Sequence, residues 1–102
     1  MNVIAVPQAH IELDAAANYY ESKCRYLGSD FLDDYLAQIN LIKRFPEIAP
    51  THGEFHDVHH LPLRKFPYSI LHAVEIDIIY VLAVASQHRG PEYWGSLTNR
   101  TT

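Results

Sequence analysis

The sequence predicts an α+β fold of order β-α-α-β-β-β, a helical hairpin packed on one face of a small antiparallel sheet. Three observations predict it. Apolar residues recur at three- and four-residue spacing from Gln8 to Phe45, with one short break at Gly28-Ser29. After Pro50 the period becomes two. Ile76 to Ala85 is then apolar at both alternating sets of positions, as in a central strand covered on both sides. The chain has 102 residues and no repeat, low-complexity tract or linker, so it reads as a single domain over 1–102.

Each element follows in order. Residues 3 to 6 form a short apolar run that Pro7 ends, a brief strand. Ala9, Leu13, Ala16, Ala17, Tyr20, Cys24 and Leu27 share one helical stripe, which places Cys24 in the core and makes Gly28 the C-terminal cap. Ser29 then offers an N-cap. Asp30, Asp33 and Asp34 follow as surface charges near the positive end of a second helix. Phe31, Tyr35, Leu36, Ile39, Ile42 and Phe45 make its apolar stripe, Lys43 and Arg44 sit in its last turn, and Pro46 stops it. A turn this short requires the two helices to pack antiparallel.

Residues 55 to 63 are the next strand, with Val58 and His60 on one face and His59, Leu61 and Leu63 on the other. Pro62 confines that strand to an edge or to a bulge. Tyr68 to Val74 and Ile76 to Ala85 follow, joined by a turn at Glu75–Asp77, and the tail after Pro91 is short and polar.

Composition narrows the function. Eight Lys and Arg against twelve Asp and Glu leave a net charge of −4, which argues against a broadly basic nucleic-acid binder. Residues 1–54 carry four basic and eight acidic side chains, whereas residues 55–102 carry four of each and five of the seven histidines. An anionic partner would meet the second half. One cysteine excludes an internal disulfide and a multi-cysteine zinc site. The opening Met1 to Pro7 lacks a basic leader and a long apolar core, and no stretch is long enough to span a bilayer, so the expected home is the cytoplasm.

Three constellations carry candidate chemistry. In Arg64-Lys65-Phe66-Pro67-Tyr68-Ser69-Ile70, Pro67 fixes a turn that delivers a basic pair to the sheet edge. Ser86-Gln87-His88-Arg89-Gly90-Pro91-Glu92-Tyr93-Trp94 leaves the end of a buried strand, where a rigid scaffold can present His88 and Arg89 while Tyr93 and Trp94 anchor the tail. The third is a histidine cluster, His52, His56, His59 and His60, with Glu54 and Asp57 interspersed. His56 and His60 share a face about 7 Å apart, too far to chelate one ion without a ligand from another strand, for which His72 is the candidate. Solvated edge-strand histidines are the expected reading, with no metal and no cofactor. The sequence holds no Gly-rich phosphate loop, no Gly-x-Ser-x-Gly elbow and no closely spaced carboxylate pair on one pocket wall.

Several segments in this order resemble the RelE/ParE superfamily of toxins from type II toxin–antitoxin systems, in particular the ParE-like (plasmid stabilisation protein) branch. They are the first strand with Pro7-Gln8-Ala9, Ala15-Ala16-Ala17-Asn18-Tyr19-Tyr20-Glu21, Leu27-Gly28-Ser29-Asp30-Phe31 and Ile42-Lys43-Arg44-Phe45-Pro46. They continue with Phe66-Pro67-Tyr68, Val81-Leu82-Ala83-Val84-Ala85 and Arg89-Gly90-Pro91-Glu92-Tyr93-Trp94, so the resemblance runs from Val3 to Trp94. It implies a helical hairpin against a curved antiparallel sheet. It also implies an antitoxin partner whose partly disordered segment folds onto the toxin. ParE-like members poison DNA gyrase by protein contact and arrest growth, whereas RelE-like members are ribosome-dependent endoribonucleases that cut messenger RNA.

The residues favour the first, non-enzymatic branch. RNA cleavage without metal needs groups that hold phosphate and move protons. Here His59 and His60 stand where Arg is common in the family, leaving Arg64, Lys65 and Arg89, with Arg100 in the tail. Target contact is accordingly expected from Arg64, Lys65, Tyr68, His88, Arg89, Tyr93 and Trp94. The alternative is a ribonuclease using His59, His60, His88 and Arg89, because histidine can act as general acid or base. A third reading is a non-toxic member that still binds an antitoxin, since His59, Ser86, Gly90 and Leu97 depart from the branch's usual residues. Self-association as a homodimer, or a hetero-oligomer with the antitoxin, would follow from uncovered apolar surface. Neither a membrane nor direct nucleic-acid contact is expected.

Overall fold

The structure, a computed structural model, describes residues 2–52 and 55–87. The elements run β1 (Asn2–Ala5), α1 (Pro7–Lys23), α2 (Leu27–Arg44), β2 (Thr51–His52), β3 (Phe55–Pro62), β4 (Tyr68–Val74) and β5 (Ile78–Ser86). The five strands form one sheet in the order β1-β5-β4-β3-β2. The α+β architecture with a helical hairpin is the expected one. The sheet, however, is mixed: β1 lies parallel to β5, with Val3 opposite Ile79, while the other pairs are antiparallel. The two-residue β2 is an added segment, too short to show a period, and it inserts one more reversal of the chain before β3.

Helix boundaries also differ from expectation. α1 stops at Lys23, and Cys24 is extended at φ −158°, its N–H still donating to the Tyr20 carbonyl. Leaving the helix breaks the periodicity, so Cys24 is exposed rather than buried. Gly28 does not cap α1; it lies in the first turn of α2, and Tyr26 at φ 71° is the N-cap in place of Ser29. The capping acceptor comes from the neighbouring helix. Glu21 takes the Tyr26 N–H on one carboxylate oxygen and the Gly28 N–H on the other, each at 3.1 Å. Glycine is required at 28 for a different reason: a Cβ there would stand 2.6 Å from the Ala17 carbonyl oxygen. The absent side chain at 28 thus lets the backbones of the two helices approach closely.

β5 is an inner strand, between β1 and β4, and is buried along both faces. It does not alternate strictly. A register shift opposite Leu71/His72 brings Ile79 and Val81 onto the same face as Val84, while Tyr80 joins Ala83 and Ala85. β5 also begins later than the expected Ile76, since Ile76 lies in the turn and is 92% exposed. β1 covers only the first half of β5; beyond it, Glu12 of α1 accepts the Val84 N–H at 3.1 Å. Phe31 on α2 is fully buried against the rings of Tyr20, Phe66 and Tyr68, at centroid distances of 5.4, 5.2 and 5.3 Å. This aromatic cluster ties the hairpin to the β3–β4 turn.

Candidate functional site

The basic pair sits on the turn between β3 and β4, and α2 holds that turn. Asp34 is 6% exposed, and its carboxylate accepts the backbone N–H of Arg64 at 3.1 Å and of Lys65 at 2.8 Å. One helical turn on, Gln38 donates its amide to the Pro62 carbonyl at 2.8 Å. Asp34 is therefore not a surface charge, although its neighbour Asp33 is exposed. With their amides turned inward to the helix, Arg64 and Lys65 carry their side chains outward and exposed. Together with Asp33, Asp34 and Ala37 they line a hollow of about 460 Å³.

The end of β5 reaches the same turn. Gln87 donates its backbone N–H to Pro67 O at 3.0 Å and its side-chain amide to Tyr68 O at 3.2 Å. The structure thereby brings Arg64, Lys65 and Tyr68 together with the last described residue of the second constellation. Tyr68 is half-buried, its ring in the aromatic cluster. His88, Arg89, Gly90, Tyr93, Trp94 and Leu97 lie outside the described residues. Sequence periodicity passed over Asp34 and Gln38, but it contained a trace of them: both fall at three- and four-residue spacing within the stripe Phe31, Tyr35, Ile42, where a polar residue is buried and needs a partner.

The histidines serve other ends. His59 and His72 are directly opposite on β3 and β4, with rings stacked at 5.0 Å. His59 donates Nδ1–H to Ala49 O at 2.7 Å, and His72 donates Nε2–H to Pro46 O at 3.0 Å, so both pin the loop after α2. His60, on the other face of β3, bonds Ser69 Oγ through Nε2 at 2.6 Å. His59 and His60 therefore point apart, each engaged in holding the fold. The side chains of His52, His56 and Asp57, and all of Glu54, lie outside the described residues. Among the described residues no group of three or more His, Cys, Asp or Glu is placed to hold a metal ion.

His72 is fully buried and its Nδ1 has no hydrogen-bond partner. Burial holds its pKa below the usual imidazole value; the Pro46 carbonyl opposes this, and His59 adds to it. Between that lowered pKa and about 6.5, the unfolded chain binds more protons than the folded one. Stability is therefore complete above the ordinary imidazole pKa and declines as pH falls through the window. Urea midpoints measured from neutral pH downward should drop for the wild type and drop less for His72→Gln. An unchanged slope in that variant would assign the loss to another group.

No protein-family model matches the chain, and no curated protein matches it. Among solved structures, a chain of the chromosomal ParDE TA system from P. aeruginosa superposes with a TM-score of 0.68 at 21% sequence identity, over 84% of this chain and 95% of that chain. The two share a fold, as the sequence resemblance leads one to expect. Among the described residues no helix is long and apolar enough to cross a membrane.

Proposed function

We propose that this protein is the toxin of a bacterial type II toxin–antitoxin pair, neutralised by a cognate antitoxin and directed at DNA gyrase through protein contact. The observation that carries the reading is the fold shared with a chain of a ParDE system over 84% of this chain and 95% of that one. The ordered motifs from Val3 to Trp94 add to it. Arg64 and Lys65, held outward by Asp34, supply the charge of the contact surface. His88, Arg89, Tyr93 and Trp94 are proposed to extend it.

The ribonuclease alternative draws less support. It needs His59 and His60 on one surface with free nitrogens, whereas they project from opposite faces of β3 and hydrogen-bond to Ala49 and Ser69. Expression of the chain alone is expected to arrest growth with DNA-damage signalling, and the purified protein to inhibit gyrase supercoiling. Arg64→Ala with Lys65→Ala is expected to lower that inhibition about tenfold, the loss of about 1.4 kcal/mol of contact. Normal supercoiling at excess protein rejects the gyrase target, and cleaved messages in a translating extract would establish the ribonuclease instead.

A further inference from the structure

The helices cover one face of the sheet, yet both faces are dry. Tyr68 meets α1 through Tyr20 and α2 through Phe31, and His72 meets the loop after α2 through the Pro46 carbonyl. By alternation that face also carries Ile70 on β4, with Val81 and Val84 opposite on β5. The other face carries Val58 and His60 on β3, Ser69 and Leu71 on β4, and Ala83 and Ala85 on β5. The hydrogen bond from His60 to Ser69 runs along it. Val58, Ser69, Leu71, Ala83 and Ala85 are all between 0% and 5% exposed.

Among the described residues nothing lies over this second face. Both helices and the loop held by His59 and His72 pack on the first, and the rest are strands of the sheet or the turns that join the elements. A leucine on a bare sheet face stands in water, and Leu71 does not.

The rest of the chain is Met1, residues 53–54 and residues 88–102. One or two residues are too few to cover a face that spans β3, β4 and β5. Residues 88–102 follow directly on Gln87, which is fixed to Pro67 and Tyr68 at the end of β5. The nine residues of β5 span about 30 Å, and the extended length of residues 88–102 exceeds that. Gly90-Pro91 supplies a signal for reversal, and Tyr93, Trp94 and Leu97 follow it. The small side chains of Ser69, Ala83 and Ala85 leave a shallow floor, and a flat indole ring suits it while its N–H stays at the polar rim.

We infer that residues 88–102 turn back over the sheet face opposite the helices, and that the Trp94 ring docks there on Leu71, Ala83 and Ala85. His88 and Arg89 are then left at the end of β5, next to the turn that carries Arg64 and Lys65. Tyr93 and Trp94 serve that surface by fixing the tail. The docking also closes the face that His60 occupies, and it does not depend on the gyrase reading.

Trp94 is the single tryptophan, so its fluorescence reports the docking directly. In the dilute full chain its emission should lie to the blue of its position in urea, and acrylamide should quench it several-fold less than in the unfolded protein. Nuclear Overhauser contacts should join the indole protons to the methyl groups of Leu71, Ala83 and Ala85. Trp94→Ala should melt several degrees lower and bind more of a hydrophobic dye. Where that variant fails to fold, Trp94→Phe should fold with a smaller loss. Native emission as red and as readily quenched as in urea overturns the inference, and so do indole contacts that run only to other residues. An emission that moves to the blue only as sedimentation shows a dimer forming assigns the face to a second copy and overturns it as well.

Discussion

Asp34→Ala is expected to destabilise the protein by about 2–3 kcal/mol, because two backbone N–H groups lose their acceptor in a largely dry setting. For a chain of this size that is a fall of roughly 10 °C or more in melting temperature. Asp34→Asn keeps one carbonyl oxygen and should cost less, about 1–2 kcal/mol. The effect should be local as well as global: amide exchange at Arg64 and Lys65 should quicken more than in the sheet. Arg64→Ala, by contrast, removes an exposed side chain and should lie within about 0.5 kcal/mol of wild type. Melting temperatures for Asp34→Ala and wild type that coincide would show that the carboxylate does not hold the turn.

Phe31→Ala should be the most damaging single change, costing about 3–5 kcal/mol. That is a large share of the roughly 5–15 kcal/mol that holds a small domain together. The ring is completely enclosed and touches the aromatic side chains of α1, the β3–β4 turn and β4 at once. Its removal leaves a cavity bordered by Tyr20, Phe66 and Tyr68, and it loosens the turn that Asp34 also holds. Where the alanine variant fails to fold, Phe31→Leu should fold with a smaller loss. Phe45→Ala is the control: half exposed, it should cost well under half as much. Urea unfolding of the three variants separates these outcomes, and equal losses at 31 and 45 would contradict the burial argument.

Much of the fold was legible because apolar spacing reports which way a side chain faces. Phe31, Tyr35, Ile39 and Ile42 announce a helix with one buried side, and the double-sided run ending at Ala85 announces a central strand. Periodicity is blind to contacts that a single residue makes across the structure. Glu21 caps a helix other than its own, Asp34 caps a turn thirty residues away, and Gly28 is needed for the approach of Ala17. The bulge in β5 and the brief β2 fail for the opposite reason, since one extra residue or a two-residue strand leaves no period to read. At the candidate site the basic pair was legible from composition, while the carboxylate and amide that orient it were hidden as two polar positions in an otherwise apolar stripe. Cys24 shows the risk of extending a pattern one step too far: its spacing matches the stripe, but the helix has already ended.

The parallel pairing of β1 with β5 has a consequence for how the chain is made. On the ribosome β1 emerges first, and its partner strand appears only after both helices and the strands β2 to β4 have been synthesised. Val3 and Ala5 must wait for Ile79 and Val81, and Val6 cannot donate its N–H to the Val81 carbonyl until then. The helical hairpin and the β4–β5 pair close short loops and can form early, whereas the outer strand closes the longest loop in the sheet. Until it does, the nascent chain carries the apolar inner strand with one edge unpaired, and it is in this interval that chaperones and proteases have their access.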